Sequence, residues 1–590
     1  MVRSYKWLYL LLPCVIMVAF VLRIWRLDVV PLRGDEAFTA IHWTNAPFSE
    51  RWLFFLEYEP NPASMVVYWA WSLGAGVSEF ALRYFSVLAN TLGTALIVAL
   101  AKRLYIRWDV ALSAGVLWAV HPFLIWHAQD ARQYGLYVTL TVLNIYLLHR
   151  ALHDAKPRWW MYVISQTFTL YLYYFELFMV VVQWIYVMLS HPKKRAQFLR
   201  IWMMIGVMLI PLALQTYVVL FGRDYAGTAT TANFEAIFTQ FIPTLWVGGM
   251  LNHILVNMAL VIALILLPKS PRALLWGWVI LPLAMLFILS HFTAVFLPRY
   301  VIAVTPALIL ISVQGIGLYA PSKANRYIDR FAMMLAICLI CLFYVYAYFY
   351  TDPPKSFDWR GLMTLVEARS SADDVIINDT SDTALEYYHR GDINIFFIPE
   401  DNPPIETYLP GLLDEHRSIF LLNGARTGDV QTYLQMHAQR IPIAWQGLDL
   451  FRKWDVDRAE IDTASDIQMG DIARLVGYSW LGDDVLLLYW QALRQTDAPY
   501  QVLTHITTVL DAPPDGAILD HPIAEGQIST STWQIGTIYR DPIVIPHDLL
   551  SGDYLLLIGM YDTTPPYQRL PITARAPDQD GRATLFSIAR

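Results

Sequence analysis

The sequence predicts an α-helical polytopic membrane domain of about eleven spans, followed by an extracytoplasmic α/β domain and a β-sandwich. Three observations predict it. Of 590 residues, 56% are hydrophobic and 15% charged, where a soluble protein carries about 25% charged residues. The apolar runs stop near Tyr350, and the roughly 240 residues beyond have the composition of one or two soluble domains. The lysines and arginines between the runs gather on alternate sides, which selects one threading.

The expected spans lie at 7–25, 83–104, 109–126, 131–149, 159–174, 176–190, 198–220, 251–267, 273–291, 300–319 and 331–350, near the ~17–25 residues that a crossing needs. The first is long, lacks a small-residue cleavage site and leads into further spans, so it reads as a retained anchor. PASMVVYWAWSLGAG (62–76) is apolar but short. Counting it as a span puts KRLYIR (102–107), KKR (193–195), KSPR (269–272) and KANRYIDR (323–330) outside; leaving it out puts all four inside with Arg3 and Lys6. It is therefore expected flat on the outer interface, or re-entrant. The short spans 159–174 and 176–190 then need a turn near Tyr174–Glu176. In this threading the membrane domain is 1–350, its N-terminus is cytoplasmic, its interfacial first outer loop is 26–82, and the C-terminal domains are extracytoplasmic.

The outer face then gathers 26–82, HPFLIWHAQDARQY (121–134), 221–250 and HFTAVFLPRY (291–300). Residues 26–61 carry six acids (Asp28, Asp35, Glu36, Glu50, Glu57 and Glu59) against three arginines, with aromatics at roughly helical spacing, as suits amphipathic helices on an interface. Basic residues near the outer span ends are few: Arg83, Arg132, Arg223 and Arg299. Single arginines there often only snorkel to headgroups. Arg132 and Tyr134, and the adjacent Arg299 and Tyr300, instead pair a guanidinium with a phenol at the start of a span. The fork of Arg matches phosphate oxygens, and helix N-termini favour negative charge.

Asp35 and Glu36 stand together in PLRGDE (31–36). Asp35 can cap the helix EAFTAIHW, pair with Arg33, or serve as a base. A carboxylate of ordinary pKa ~3.9 cannot fully deprotonate a hydroxyl whose acidity is close to that of water, ~15.7. It can accept the proton as a new bond forms, while arginines stabilise a departing phosphate. That chemistry is glycosyl transfer from a lipid-phosphate sugar. It requires no metal, although Asp35, Glu36 and Asp130 also have the oxygen donors of a divalent site. Asp130, His121, His127 and His291 fall on the same face as substrate contacts, or merely satisfy backbone groups. Net charge is −7, which gives no reason to expect a nucleic-acid partner. Cys14, Cys338 and Cys341 all lie in apolar runs, so no disulfide is expected in the soluble part.

GDE after the first span, the xPNPxSxxxY segment at 60–68, SEFALRYFS (78–86), HPFLIWHAQDARQYGLYV (121–138) and PRYVIAVTPAL (298–308) together resemble the GT-C-type membrane glycosyltransferases. The nearest branch contains the dolichyl-phosphate-mannose-protein mannosyltransferases and the bacterial lipid A aminoarabinose transferases. The resemblance covers about 1–350, and its order and spacing carry more than any one block. It implies an inverting transfer from a polyprenyl-phosphate monosaccharide without an essential metal. It also implies Asp35 as the catalytic acidic residue with Glu36 as its partner, and lipid-phosphate contacts from Arg83, Arg132, Tyr134, Arg299 and Tyr300. At Asn61 many relatives have His, so no role is carried over there. The partners expected are a polyprenyl-phosphate-linked donor, membrane lipid and an unidentified hydroxyl acceptor on a glycan, lipid or protein. The alternatives are a polyprenyl-linked sugar transporter or flippase, and a non-catalytic membrane scaffold.

After the linker TDPPKS (351–356), residues 355–454 alternate helical and strand patterns, as in a small α/β domain, and TSDT lacks the glycines of a phosphate loop. Residues 455–590 carry successive strand-like runs, a β-sandwich in which Trp480, Trp490 and Trp533 are either glycan contacts or core. The absence of disulfides and an extracytoplasmic sandwich point to a prokaryotic plasma membrane.

Overall fold

The computed structural model describes residues 10–45, 49, 61–221, 232–249, 253–266, 269–318, 326–350 and 355–588, apart from 380–381, 400, 402, 425, 509–513, 552 and 575–579. Much of the first outer loop, including Glu50, Glu57 and Glu59, and most of the tip of 221–250, including Arg223, lie outside the described residues. The chain forms two compact units, Met1–Asp358 and Trp359–Arg590.

The first unit is helical. Its main elements are α1 (Leu12–Ile24), α2 (Gly34–Phe38), α3 (Pro62–Ala75), α4 (Glu79–Tyr105), α5 (Trp108–Val120), α6 (Pro122–Ala128), α7 (Tyr134–His153), α8 (Trp159–Leu172) and α9 (Glu176–Ser190). They continue through α10 (Arg195–Met208), α11 (Ile210–Phe221), α12 (His253–Leu266), α13 (Lys269–Leu289), α14 (Thr305–Leu318) and α15 (Arg326–Tyr350). Among the described residues three helices are long and apolar enough to cross a membrane, or five if each of two bent pairs counts as one span. Two of the expected spans, 109–126 and 198–220, are helix pairs broken by bends. α5 and α6 meet at 57°, and the α10–α11 pair at 50°. Pro122 opens α6, and the preceding His121 is extended (φ −70°, ψ 115°), because a proline disfavours helical backbone in the residue before it. The second break, at Leu209, lies just before Pro211, which has no amide N–H to continue the α10 ladder. The expected span at 300–319 begins with 3₁₀ turns over Pro298–Val304 before α14 takes over.

α4 packs against α1, α5 and α7 and carries Arg83 near its start. Ser78 caps it by accepting from the Ala81 amide at 3.2 Å, and Lys102 and Arg103 sit in its last turn, where the helix dipole favours cations. Gly93 lets α4 and α5 close together: a Cβ there would stand 2.3 Å from the Trp118 ring. α1 packs on both helices and sends in Arg23, wholly buried, whose guanidinium bonds Asn90 Oδ1 (2.8 Å) and the carbonyls of Ala19, Ala119 and Trp118.

The second unit begins with α16 (Trp359–Glu367) and a five-stranded sheet of order β2-β1-β3-β5-β4. β1 (Val375–Asn378), β2 (Asn394–Phe397) and β3 (Ser418–Leu422) pair in parallel, and β5 (Leu448–Lys453) and β4 (Ala438–Ile441) add antiparallel. The helical reading of DVQTYLQMHAQR holds only to His437, because Ala438–Ile441 is strand. The remaining strands form two five-stranded sheets. One contains β6 (Thr463–Met469), β7 (Ala473–Leu481), β8 (Val485–Ala492), β12 (Ile538–Val544) and β14 (Ile572–Thr573); the other contains β9 (Tyr500–Thr507), β10 (Ala517–Ile518), β11 (His521–Pro522), β13 (Tyr554–Asp562) and β15 (Ala583–Ile588). Trp490 and Trp533 are buried in the core between them, and Trp480 is half-buried at its margin.

An ion pair bolts the two sheets together. His521 Nε2 on β11 faces Asp541 Oδ2 on β12 at 3.1 Å, and Asp541 also accepts from the Ala524 amide (2.7 Å) and Trp490 Nε1 (3.1 Å). Burial alone would lower the imidazole pKa, but the Asp541 carboxylate outweighs it and raises it from 6.5 to about 9. The folded pKa exceeds the unfolded one, so this stabilisation is complete below about pH 6.5 and is lost as pH rises through about 9. The melting temperature of the second unit is therefore expected to fall over that window, and His521→Gln to flatten the fall. Identical pH profiles for parent and variant would remove the assignment.

Candidate active site

PLRGDE turns the chain out of α1 and into α2. The cap of α2 is Arg33, not Asp35, so the capping role open to Asp35 in the sequence is not the one it takes. The Arg33 amide donates to Glu36 Oε2 at 3.3 Å, and the two adjacent carboxylates diverge, one inward and one toward solvent.

Glu36 is fully buried. Its Oε1 accepts from Arg83 Nε (2.7 Å) and the Ala131 amide (2.9 Å), and its Oε2 from Arg83 Nη2 (2.8 Å) and the Arg33 amide. Burial favours its neutral form, but Arg83 outweighs that and holds the carboxyl below the ordinary range. Arg83 spends its remaining donors on the carbonyls of Leu27 (2.9 Å), Val30 (2.6 Å) and Pro31 (3.0 Å). In this structure neither residue keeps a free donor or acceptor for the role that the resemblance implies. Arg83 has five N–H groups, each with a partner in the protein, so none is left for a lipid phosphate. Glu36 accepts four hydrogen bonds, which leaves Asp35 as the carboxylate of the pair that is open to solvent.

Asp35 is the accessible carboxylate, with 40% of its side chain exposed. Its Oδ2 lies 3.0 Å from Arg299 Nη1 and 4.0 Å from Arg33 Nη2. Arg132 Nη1 reaches the Asp35 carbonyl and Thr39 Oγ1, both at 3.3 Å, and its guanidinium lies 4.7 Å from the Trp43 ring centroid. Burial pushes the Asp35 carboxyl up, but Arg132, Arg299 and Arg33 together outweigh it and hold it below the usual aspartate range. The Arg299 guanidinium lies 5.4 Å from the Tyr300 ring centroid and 6.0 Å from that of Tyr134. The Tyr300 ring stacks on Phe175. Residues 264 positions apart thus meet in one cluster.

Asp130 forms the buried side of the cluster. It pairs with Arg33 (3.0 Å), His127 Nδ1 (2.7 Å) and Lys355 Nζ (2.5 Å), which together outweigh burial and hold its carboxyl well below the ordinary value. Lys355, from the linker after α15, also donates to the carbonyls of Trp126 and Gln129. It pins the turn that carries Arg132. TDPPKS gave no sign of this, since a lysine just past a span reads as a surface charge.

His127 joins the site through Asp130, whereas His121 and His291 do not. His121 is buried with Nε2 on the Trp246 carbonyl at 3.1 Å, and His291 is exposed against Phe287. A second polar cluster also escaped the sequence reading. Glu176 at the start of α9 is buried and accepts from Thr141 (3.1 Å), Asn144 (3.1 Å) and Gln166 (3.0 Å). Among the described residues no group of three or more His, Cys, Asp or Glu side chains has the arrangement of a metal site.

The fold is similar to that of ArnT, and part of the sequence matches a protein-mannosyltransferase family model. The sequence model of the family described as dolichyl-phosphate-mannose-protein mannosyltransferase matches residues 62–221, a stretch that contains Arg83, Arg132 and Tyr134 but neither Asp35 nor Arg299. Among solved structures, ArnT from Cupriavidus metallidurans bound to undecaprenyl phosphate superposes with a TM-score of 0.52 at 13% identity, covering 76% of this chain and 98% of that one. The apo state of ArnT gives 0.53 with the same identity and coverage. No curated protein sequence matches the chain.

Proposed function

We propose that the protein transfers a monosaccharide from a polyprenyl-phosphate donor to a hydroxyl acceptor at a membrane surface. The observation that carries this reading is the contact between Asp35, the accessible carboxylate, and Arg299 at 3.0 Å, with Arg132 alongside. A donor phosphate competes with Asp35 for Arg299. Once the guanidinium turns to the phosphate, the carboxylate is released to accept a proton.

The acceptor oxygen forms a bond to the anomeric carbon as the bond from that carbon to the phosphate oxygen breaks. Asp35 takes the acceptor proton, and the leaving oxygen keeps its electron pair as polyprenyl phosphate. Attack opposite the leaving group inverts the anomeric centre. Arg132 and Arg299 balance the growing phosphate charge, helped by a setting in which their charges need no reorganisation. Tyr134 and Tyr300 flank Arg299 and hold its approach angle. Asp130, His127, Arg33 and Lys355 position the turn and the loop that carry these groups. No step is assigned to a metal. The ArnT structure is bound to undecaprenyl phosphate, which supports a polyprenyl lipid here. The reading places the site on the extracytoplasmic side of a prokaryotic plasma membrane, in an N-terminus-inside threading with about eleven crossings.

The test is purified protein in liposomes with a panel of radiolabelled polyprenyl-phosphate sugars and no ion gradient. One donor is expected to be consumed with release of polyprenyl phosphate. Movement of intact donor across the bilayer without bond cleavage would replace the enzyme by a transporter. Arg299→Gln is expected to raise the KM for that donor about 10- to 100-fold, the worth of a charge-assisted contact. An unchanged donor KM would take Arg299 out of phosphate binding.

A further inference from the structure

The second unit holds a cavity of about 240 Å³ that the transfer chemistry does not use. It opens between the turn after α16, the β-sheet of the α/β region and the C-terminal end of β7. Arg369, Ser371, Asp374, Arg417, Arg452 and Trp480 are among its walls. The volume is below the ~300–1,000 Å³ of pockets for drug-sized ligands, so it suits a single substituted ring.

Its lining sets Arg369, Arg417 and Arg452 against Asp374, Glu460 and Asp462, but three guanidiniums, those of Arg540, Arg417 and Arg452, crowd the single carboxylate of Glu460. Glu460, one of two buried acids of the cavity with Asp374, is engaged by Arg540 from outside it, at 3.2 Å from Nε and 2.6 Å from Nη2. It stands 4.0 Å from Arg452 and 3.7 Å from Arg417. Arg369 is paired with Asp484. Asp374 Oδ2 accepts from the Ser371 amide (2.7 Å) and hydroxyl (3.0 Å). Arg452 is 5% exposed and donates through Nε to Ser418 Oγ at 3.0 Å. Burial, then the like charges of Arg540 and Arg417, lower the Arg452 pKa to about 10, against the smaller opposing pull of Glu460 and Asp374. A buried cation short of counter-charge is stabilised by an incoming anion, and the guanidinium fork fits a carboxylate.

Two further features suit a sugar ring. Asp374 Oδ1 is buried with no hydrogen-bond partner, a vacancy that a ligand hydroxyl would fill. Trp480 lines the wall, its ring held edge-on to Phe586 at 5.9 Å, and an indole face accepts the apolar side of a pyranose. We propose that this cavity binds a carboxylate-bearing monosaccharide unit of a glycan. The carboxylate lies on Arg452 and Arg417, a hydroxyl donates to Asp374, and the ring rests against Trp480. This proposal does not depend on the transfer reaction.

The test uses full-length protein in nanodiscs, with glucuronate, glucose and inorganic phosphate as probes, read by calorimetry and saturation-transfer NMR. Glucuronate is expected to bind saturably, with glucose and phosphate each at least about tenfold weaker. Arg417→Ala, at a side chain 44% exposed and so safe for folding, should weaken glucuronate about tenfold or more, as loss of a charge-assisted bond does. Trp480→Leu should weaken glucuronate and leave phosphate unchanged. Absence of saturable glucuronate binding, equal affinity for glucose or for phosphate, or an Arg417→Ala variant with parental affinity would each overturn the assignment.

Discussion

Asp35→Asn is expected to cut sugar transfer by about 10²–10⁴-fold, the usual worth of a positioned base, and to leave the melting temperature within a degree or two of the parent. The two halves of this expectation have separate causes. An amide keeps the shape of the carboxylate and can still accept from Arg299 through its oxygen, so the local packing is retained. Asp35 is also the exposed member of the cluster, and its ion pair with Arg299 is part-solvated, a setting in which such pairs contribute ~0–1 kcal/mol. What the amide loses is the ability to take a proton. Because three arginines hold the Asp35 carboxyl below the ordinary aspartate range, the base is already ionised at about pH 5–8 in the parent. The acid limb of kcat/KM is therefore expected below the usual aspartate value, with no limb from Asp35 near neutrality. The measurement is initial rates against pH for parent and variant, with circular dichroism melts on the same samples. Parental turnover by folded Asp35→Asn would end the base assignment.

The fold was legible in the sequence where it depends on hydropathy and pattern. Residues 79–105 and 134–153 are long apolar runs with polar ends, and both are single helices. YQVLTHIT and YLLLIGMYD carry enough β-branched and aromatic residues to be read as strands, and they pair with each other along their whole lengths. The breaks at His121 and before Pro211 were less visible. Hydropathy averages over a proline, whereas backbone sterics do not. β6 was missed because TASDIQM is polar and half-exposed, with little of the alternation that marks a sheet face. At the site, pairs of residue types could be read but their partners could not. Arg299 and Tyr300 have the chemistry expected of a phosphate-binding pair, and the structure sets that guanidinium on Asp35. Arg83 has the same chemistry and the same place at the start of a helix, yet it is consumed by Glu36 and three carbonyls. Nothing within SEFALRYFS distinguishes the two cases, because the distinction lies in residues about fifty positions earlier. Lys355 was missed for the same reason, as its anion is Asp130, more than two hundred residues away.

The largest loss of stability in the first unit is expected from Arg83→Met or Glu36→Leu, at about 3–5 kcal/mol each, the cost of leaving one member of a buried ion pair without its partner. Both side chains are at most 2% exposed, so water cannot replace the missing group. Arg83→Met also frees the carbonyls of Leu27, Val30 and Pro31, which fix the turn between α1 and α2. Combining the two substitutions should therefore cost less than the sum of the singles, because one network is removed once. It should still fall short of the parent, because those carbonyls stay unpaired. Glu36→Gln separates this role from chemistry. Its amide keeps the volume but loses the charge that Arg83 requires, so the melting temperature drops. Below that temperature each folded molecule should still transfer sugar far faster than Asp35→Asn does. Thermal melts and specific activity per folded molecule, measured on the same preparations, give the comparison. Glu36→Gln with a parental melting temperature and no turnover would return Glu36 to the reaction and make the pair, rather than Asp35 alone, the proton acceptor.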